Sequence, residues 1–526
     1  MKKHLIYLAI LSIGFVSCEP EFENPVDEDG FYSSGEANFS HFVAIGNSTS
    51  AGYADNALYI SGQQNSFPNI LAQQFSLLGG GEFTQPLMAD NTGGLLLNGT
   101  QIAAPRMVLA VGANGNPGPA IMAGTPTTEV TNTLAGPFNN MGVPGAKVYH
   151  LGVEGYGNVS GVANGTANPY FARFASSSNA SILGDALVQN PTFFTLWIGN
   201  NDVLGFATSG GTGTDQTGNF DAGTYGSNDI TDPNVFAQAY SQIVDALVAN
   251  ETEGVLLNIP DVTTLPYFTT VPYAPLSPAN PDFGPQIPTL NGLYAQLNQA
   301  FAFLGVPERS IQFSTTSASA VVVKDESLAD ISTALTQVLM AGGLDAATAT
   351  LFGMQFGQAR QATANDLLPL TSSSAIGEVN QDRLEELMAM GLPAAMAGQF
   401  AVNGVSYPME DQWVLTPSEQ QMIETARTAY NSTIQNLAIT HGLAFVDASG
   451  LLEDLYNHGV AFDAGSINAD FVTGGAFSLD GVHLTPRGNA VIANEIIKEI
   501  NRTYGASVPK VNPGNYNTIT LSNNIN

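Results

Sequence analysis

The chain has 526 residues, enough for one large domain with insertions or for two or three domains. Hydrophobic residues make up 44% of the sequence, which argues against global disorder because a sizeable core can be buried. The 14 basic and 45 acidic residues give a net charge of −31. This charge repels nucleic acid and anionic lipid surfaces, so we expect neither as a partner.

The N-terminus predicts export. A short basic start is followed by an apolar run, residues 5–16, that is too short to span a bilayer and is typical of a secretory signal. The run ends in FVSC, which resembles the lipobox of bacterial lipoproteins and would make Cys18 the lipidated residue. Cys18 is the only cysteine, so no internal disulfide can form. A plain signal peptide with an incidental cysteine is the alternative.

We therefore expect a lipoprotein signal peptide over residues 1–17 and an acidic, flexible tether over residues 18–38. Acidic residues directly after Cys18 also resemble the surface-export signal of Bacteroidetes lipoproteins. The expected location is the outer membrane, reached through the lipid on Cys18, with the periplasmic face and the cell surface left open.

Continuous apolar runs predict buried parallel strands along the chain. They lie at residues 39–45, 192–198, 255–259 and 444–446. Two helices have clear start signals. Thr416 opens a capping box with proline at the first helical position, and this helix should end near His441, before Gly442. Thr485 and Pro486 open the last helix. Strands alternating with helices indicate an α/β protein.

Three segments lie outside this alternating pattern. Residues 83–137 are rich in Gly, Asn and Pro and are interpreted as an elaborated loop. Residues 266–411 form a predicted insertion, extended and proline-rich at first and then helical and Met-bearing over residues 328–400. It is either a cap over the site or a scaffold without substrate contact. Residues 504–526 are interpreted as a loose tail, and we find no internal repeat.

Two short motifs supply a nucleophile and its base. Ser48 follows an apolar strand and precedes a predicted helix, which exposes a side chain at the C-terminal edge of a sheet. Serine needs a base to take its proton. His483 is our candidate, because Asp480 lies three residues earlier and can bind one ring nitrogen while the other faces the serine.

Three donors are available for an oxyanion, the negative oxygen that forms when a serine attacks an ester. They are the backbone N–H of Ser48, the backbone N–H of Gly145 and the side-chain amide of Asn201. Such donors are usually the largest single catalytic contribution, and losing one costs about 3 kcal/mol. Read alone, Gly145 and Asn201 are ordinary turn residues.

Together these motifs resemble the four blocks of the SGNH/GDSL hydrolase superfamily. Ser48 lies in FVAIGNSTSAGY, Gly145 in NNMGVPGA, Asn201 in WIGNND, and Asp480 and His483 in LDGVHLTPRGN. The first block reads Gly-Asn-Ser-Thr where the family has Gly-Asp-Ser-Leu. The resemblance implies a flavodoxin-like three-layer α/β/α sandwich with a parallel sheet, carrying a largely helical insertion. It also assigns residues 39–265 and 412–503 to the hydrolase domain.

The resemblance further implies ester hydrolysis through an acyl-serine, with no metal and no cofactor. We expect an esterase or lipase, and the Met-bearing insertion favours an acyl chain because such side chains make adaptable apolar walls. One alternative is a carbohydrate acetylesterase that acts on glycans. Another is a non-catalytic surface lipoprotein that binds a glycan or a partner. Acyl length, alcohol group and oligomeric state stay open.

Overall fold

The computed structural model describes residues 32–112, 115–463, 465–523 and 525. The predicted signal peptide over residues 1–17, the predicted lipidation site Cys18 and most of the predicted tether lie outside these residues. Within the described part of the chain, no helix combines the length and the apolar character needed to cross a bilayer.

A five-stranded parallel sheet forms the centre of this mixed α/β protein. Its strands are β1 (Phe42–Gly46), β2 (Asn140–Gly142), β3 (Phe193–Trp197), β4 (Glu253–Leu257) and β5 (Ala444–Val446). Their spatial order is β5-β4-β3-β1-β2, and every neighbouring pair is parallel. The four predicted apolar runs correspond to β1, β3, β4 and β5. Strand β2 was not predicted, because its three residues, Asn-Met-Gly, form no apolar run.

Helices cover both faces of the sheet. The helices that flank the sheet or border the site are α1 (Ser48–Ala51), α2 (Phe67–Ser76), α3 (Asn201–Thr208), α4 (Pro233–Val248), α5 (Pro417–His441), α6 (Ala448–Asn457) and α7 (Pro486–Tyr504). Shorter helices span Ile60–Gln64, Val159–Val162, Pro169–Ala172 and Ile182–Leu187. Alternate side chains of β1 enter two separate cores, since Val43 belongs to the core that includes side chains of α4 and α5 while Ala44 belongs to the core that includes side chains of α2 and α7.

The three predicted helix boundaries, both ends of α5 and the start of α7, are confirmed. Thr416 accepts from the first turn of α5, and the Glu419 carboxylate receives the Thr416 N–H at 2.6 Å. Helix α5 ends at His441, and Gly442 closes it in the left-handed conformation, with φ +65°. Helix α7 begins at Pro486, and the Thr485 hydroxyl caps it.

The predicted insertion has a hydrophobic core of its own, built from buried side chains between Leu276 and Val414. Its helices are Pro266–Thr269, Ile287–Phe303, Ser332–Ala341, Ala346–Phe356, Gln381–Ala389 and Ala394–Gln399, and Val322–Lys324 pairs with Ala359–Gln361. The last four helices lie in the stretch predicted to be helical. Helix Ile287–Phe303 was not predicted, because it begins at the end of the proline-rich stretch.

This insertion contains a short internal repeat that the sequence analysis did not find. Residues 339–349 read LMAGGLDAATA and residues 387–397 read LMAMGLPAAMA, so the two differ only at the fourth, seventh and tenth positions. Both form the corner of a helical hairpin. Gly343 and Gly391 occupy the same place in each corner, and both have φ +97°. No repeat was predicted, because the two matching stretches are short and lie in an Ala- and Met-rich segment.

The segment interpreted as an elaborated loop contains regular secondary structure. The loop predicted over residues 83–137 contains two antiparallel pairs, Leu95–Leu97 with Thr100–Ala103 and Met107–Val111 with Pro117–Ile121. A further pair, Val460–Phe462 with Gly465–Ile467, precedes the last motif.

A loose tail is predicted over residues 504–526, but the described part of this segment is bound to α7 by hydrogen bonds. Asn494 and Asn501 of α7 each exchange two hydrogen bonds of 2.8–2.9 Å with the backbone of Val511 and Val508. The described end of the predicted tether packs on α7 as well, since the Glu36 N–H donates to the Tyr504 carbonyl at 2.8 Å. The composition of the tail does not reveal these bonds, because their partners are two asparagines of the preceding helix.

Three carboxylates meet where the insertion joins α5. They belong to Glu326, Asp411 and Glu419, whose nearest oxygens lie within 4.8 Å of one another. Burial, followed by the charge of Glu326, raises the pKa of Asp411 to about 6. Burial is also the main cause that raises the pKa of Glu419 to about 7, against the lowering effect of its bonds to Thr416. This cluster therefore destabilises the fold when it is fully ionised.

We predict a pH-dependent stability that originates in this cluster. A carboxyl whose pKa is raised in the folded state stabilises the fold below its unfolded pKa, and this contribution is lost as the pH rises through the folded value, here about 6 to 7. Asp411→Asn should reduce the loss of unfolding free energy between pH 5 and pH 8, as measured by urea denaturation. Glu385→Gln, an exposed change of equal charge, is the control. An unchanged pH dependence in Asp411→Asn would contradict the assignment.

Candidate active site

Three of the four motifs meet because neighbouring strands end level with one another. Gly46, the last residue of β1, lies opposite Gly142 of β2 on one side and Trp197 of β3 on the other. Ser48 follows β1 by two residues, Gly145 follows β2 by three and Asn201 follows β3 by four. The C-terminal edge of the sheet therefore gathers these three residues at one place, which is where α/β proteins carry their sites.

Ser48, His483 and Asp480 form a hydrogen-bonded chain. The Ser48 Oγ lies 2.9 Å from His483 Nε2, and His483 Nδ1 lies 2.9 Å from Asp480 Oδ2. The serine is 7% exposed, and the histidine and aspartate side chains are 14% and 9% exposed. The ring of Tyr53 packs against the imidazole with centroids 4.7 Å apart. The three residues predicted from distant parts of the sequence are thus brought into contact.

The Asp480 carboxylate accepts five hydrogen bonds. Its Oδ1 receives the N–H groups of Val482 and His483 and the hydroxyl of Ser478, and its Oδ2 receives the Asn56 N–H and His483 Nδ1, all at 2.8–3.0 Å. Burial by itself would raise the pKa of this carboxyl. The charge of His483 and the hydrogen bonds outweigh burial and hold the pKa of Asp480 well below its usual range.

This electrostatic arrangement fixes the histidine tautomer. An ionised carboxylate can only accept hydrogen bonds, so the proton of the neutral imidazole resides on Nδ1, facing Asp480. The Nε2 lone pair then points at the Ser48 hydroxyl. His483 is therefore positioned to remove a proton from Ser48, and Asp480 to stabilise the resulting imidazolium.

Asn47 is one of the two positions at which the first block departs from the motif that it resembles. It is the N-cap of α1, and its Oδ1 accepts the Thr49 N–H at 3.0 Å. An aspartate would offer the same acceptor, so this capping function is kept. The Asn47 Nδ2 is buried and has no hydrogen-bond partner among the described residues.

The three predicted oxyanion donors are available. Within the described residues, neither the Ser48 N–H nor the Gly145 N–H donates a hydrogen bond. The Asn201 Nδ2 donates one hydrogen to the Ala146 carbonyl at 2.9 Å, which orients the amide. Its second hydrogen can still be donated to an oxyanion. Gly145 has φ +80°, a conformation that glycine adopts without strain.

Buried polar side chains support these donors from behind. The Asn168 Nδ2 binds the Pro144 carbonyl at 2.8 Å, directly before Gly145. Asp202, the residue after Asn201, is fully buried and accepts the Val148 N–H at 3.0 Å. Burial raises the pKa of Asp202 to about 6, although the nearby Lys147 ammonium opposes the shift. The segment that carries Gly145 is thereby tied to the start of α3.

Sequence reasoning missed a second group of residues behind Asp480. Asp55 and Asn56 both have left-handed backbones, with φ +53° and +61°. The Asp55 carboxylate accepts the Leu479 N–H at 3.1 Å and the Tyr59 hydroxyl at 2.8 Å, and its own N–H donates to Ser478 Oγ at 2.9 Å. Burial raises the pKa of Asp55. An Asp-Asn pair looks like an ordinary turn in sequence, so no local signal links it to a loop more than 400 residues away.

An apolar cavity opens beside Ser48 and His483. Side chains of α3, α6, α7 and the 260–265 loop form its walls, among them Leu204, Val262, Leu452, Leu455 and Val491. Its polar lining consists of Ser48, Thr49, Trp197, Asn200, Asn201 and His483. Residues 266–411 contribute none of the lining side chains, so the walls do not come from the predicted insertion.

The insertion instead touches the loop that carries the base. The Tyr267 N–H donates to the Gly481 carbonyl at 3.0 Å, and a Cβ on Gly481 would lie 2.9 Å from the Tyr267 nitrogen. Gly481 has φ +72° and lies between Asp480 and His483, so the first turn of the insertion supports their loop from outside. Whether the insertion moves as a cap stays an open prediction.

Comparisons with known proteins add no further assignment. No family model, no curated protein and no solved structure matches this chain.

We predict that Gly142 is required for the close packing of β2 on α1. A Cβ at Gly142 would lie 2.3 Å from the Ala51 backbone nitrogen, an approach that backbone cannot relieve by a rotamer change. Gly142→Ala should lower the free energy of unfolding by about 1–3 kcal/mol. Gly152→Ala is the matched control, because a Cβ there meets nothing within 4 Å. Equal stability of the two variants in urea denaturation would refute the packing argument.

Proposed function

We propose that this protein is a serine hydrolase that cleaves carboxylic esters through an acyl-serine intermediate. The observation that carries the proposal is the continuous chain from Ser48 Oγ to His483 Nε2 and from His483 Nδ1 to Asp480, with both distances 2.9 Å. Nucleophile, base and orienting acid have the relative positions that serine hydrolysis needs.

In the first half-reaction, His483 Nε2 takes the Ser48 proton as Oγ attacks the acyl carbonyl carbon. The carbonyl oxygen becomes an oxyanion near the N–H groups of Ser48 and Gly145 and the Asn201 amide. Asp480 stabilises the imidazolium. When the tetrahedral intermediate collapses, the ester C–O bond breaks, and the leaving alcohol takes the proton from His483.

In the second half-reaction, His483 takes a proton from water as the water oxygen attacks the acyl-serine carbonyl. The same three donors bind the second oxyanion. Collapse breaks the bond to Ser48 Oγ, which regains its proton from His483, and the carboxylic acid leaves. The free enzyme is restored without any change of oxidation state.

The strand order supports a finer fold assignment. Read from β2, the order is 2-1-3-4-5, which is the order of flavodoxin-like doubly wound sheets, whose ligands bind at the switch point between β1 and β3. Ser48 and Asn201 follow these two strands. We therefore propose the flavodoxin-like α/β/α sandwich of the SGNH/GDSL superfamily, a proposal that also depends on the four sequence blocks.

The two alternative functions remain distinguishable. A non-catalytic binding protein would not need free oxyanion donors beside a hydrogen-bonded Ser–His–Asp chain, so the geometry favours the enzyme. A glycan acetylesterase would use the same chemistry, and only substrate preference separates it from an esterase or lipase. Attachment to the outer membrane through Cys18 stays a prediction, because Cys18 lies outside the described residues.

Ser48→Ala tests the nucleophile. Without the hydroxyl no acyl-enzyme can form, and kcat for p-nitrophenyl acetate should fall by about four to six orders of magnitude. A fluorophosphonate probe should label the wild type and leave Ser48→Ala unlabelled. Ser50→Ala is the matched control, since Ser50 is a buried serine of the same helix that has no side-chain partner among the described residues. Unchanged turnover in Ser48→Ala would remove Ser48 from the mechanism.

Asp480→Asn tests the orienting acid. The amide has the size of the carboxylate, but its NH₂ group can turn toward the imidazole and favour the wrong tautomer. We expect kcat to fall by about 10²–10⁴-fold with a small change in KM. Asp470→Asn, an exposed change in the same segment, should leave kcat at the wild-type value. If both variants kept full activity, His483 would not depend on Asp480.

A further inference from the structure

The cavity beside Ser48 has two chemically distinct ends. At one end are the side chains of Ser48, His483 and Asn201, which would act on an ester carbonyl. The other lining side chains are mainly hydrocarbon and include leucines of α3 and α6 and Val491 and Ile492 of α7. A ligand that fits both ends has a polar reactive head and an apolar body.

The apolar walls discriminate against sugars. The Trp197 Nε1 donates to the Asn258 carbonyl at 3.1 Å, so this donor is already engaged. Sugar hydroxyls moved against Leu452 or Val491 would lose their hydrogen bonds to water without replacement, which is unfavourable. An alkyl chain loses no hydrogen bonds there, and each methylene that moves out of water into the cavity makes binding more favourable.

The walls of the cavity are well buried. Leu452 and Leu455 of α6 are each 4% exposed and Val491 is 5% exposed, so the walls belong to packed helices of the hydrolase body. Such walls set an upper limit on chain length.

We propose that this cavity binds the acyl chain of the substrate, so that the protein prefers esters of unbranched fatty acids over acetyl esters of glycans. The proposal rests on the serine hydrolase function above and assigns the substrate class of the same site. The acyl carbonyl lies at Ser48, the hydrocarbon chain extends between α6 and α7, and the alcohol group lies outside the cavity.

The first experiment measures binding without catalysis. In the full chain carrying Ser48→Ala, calorimetric titration with octanoate, decanoate and dodecanoate should show affinity that increases with chain length, while xylobiose should not bind. Adding Leu452→Trp, which fills the cavity, should weaken dodecanoate binding by more than about tenfold, the effect of losing roughly two buried methylenes. Val491→Phe fills the cavity from the opposite wall and serves if Leu452→Trp fails to fold.

The second experiment measures turnover of p-nitrophenyl esters from acetyl to palmitoyl. In the wild type, kcat/KM should rise about fourfold per added methylene until the cavity is full, and then fall. Leu452→Trp should shift the optimum to a shorter chain and lower the octanoate-to-acetate ratio of kcat/KM. Glu453→Trp adds the same side chain at the next, exposed position of α6 and should leave that ratio unchanged.

The two experiments separate the two proposals. Suppose that the wild type binds fatty acids and hydrolyses no ester, and that Leu452→Trp weakens this binding. The cavity assignment would then stand, and the hydrolase function would be overturned. Ester hydrolysis with no chain-length dependence, together with no fatty-acid binding, would sustain the hydrolase and overturn the cavity assignment. A preference for acetylated xylan over every acyl ester would also overturn it and favour the glycan acetylesterase.

Discussion

The Asp480 carboxylate is the interaction on which the rest of the site depends. It accepts donors from its own loop, from the histidine that it orients and from the backbone of Asn56, which lies more than 400 residues earlier in the chain. A buried carboxylate is stable only when its acceptor sites are filled, and here every donor also fixes the position of a neighbouring segment. The charge that orients His483 thus also joins the two ends of the α/β body.

The sheet provides the second constraint. Parallel strands that end level with one another place the residues that follow them side by side, whatever their separation in sequence. Ser48, Gly145 and Asn201 are neighbours for this reason, and the buried Asp202 and the Asn168 amide keep their backbones in place. The donors proposed for an oxyanion are therefore held in place by the protein itself, which is the condition under which such donors contribute most.

The location of the cavity changes the interpretation of the insertion. Its methionines suggested an apolar wall for an acyl chain, but Met340, Met354, Met388, Met390 and Met396 are all substantially exposed, and none lines the cavity beside Ser48. The walls come from α3, α6 and α7 of the body. Near the site the insertion contributes the hydrogen bond between Tyr267 and Gly481, which supports the loop that carries His483.

The sequence by itself determined most of the elements of the sheet body and singled out the residues that meet at the site. Apolar runs marked four of the five sheet strands, capping residues marked the starts of α5 and α7, and four short motifs named Ser48, Gly145, Asn201, Asp480 and His483, because these signals are local in the chain. Only the tertiary structure decided what depends on distant contacts. The Asp55–Asn56 turn, the short strand β2, the ordered tail and the apolar cavity arise where segments far apart in sequence meet, and no local pattern records such a meeting.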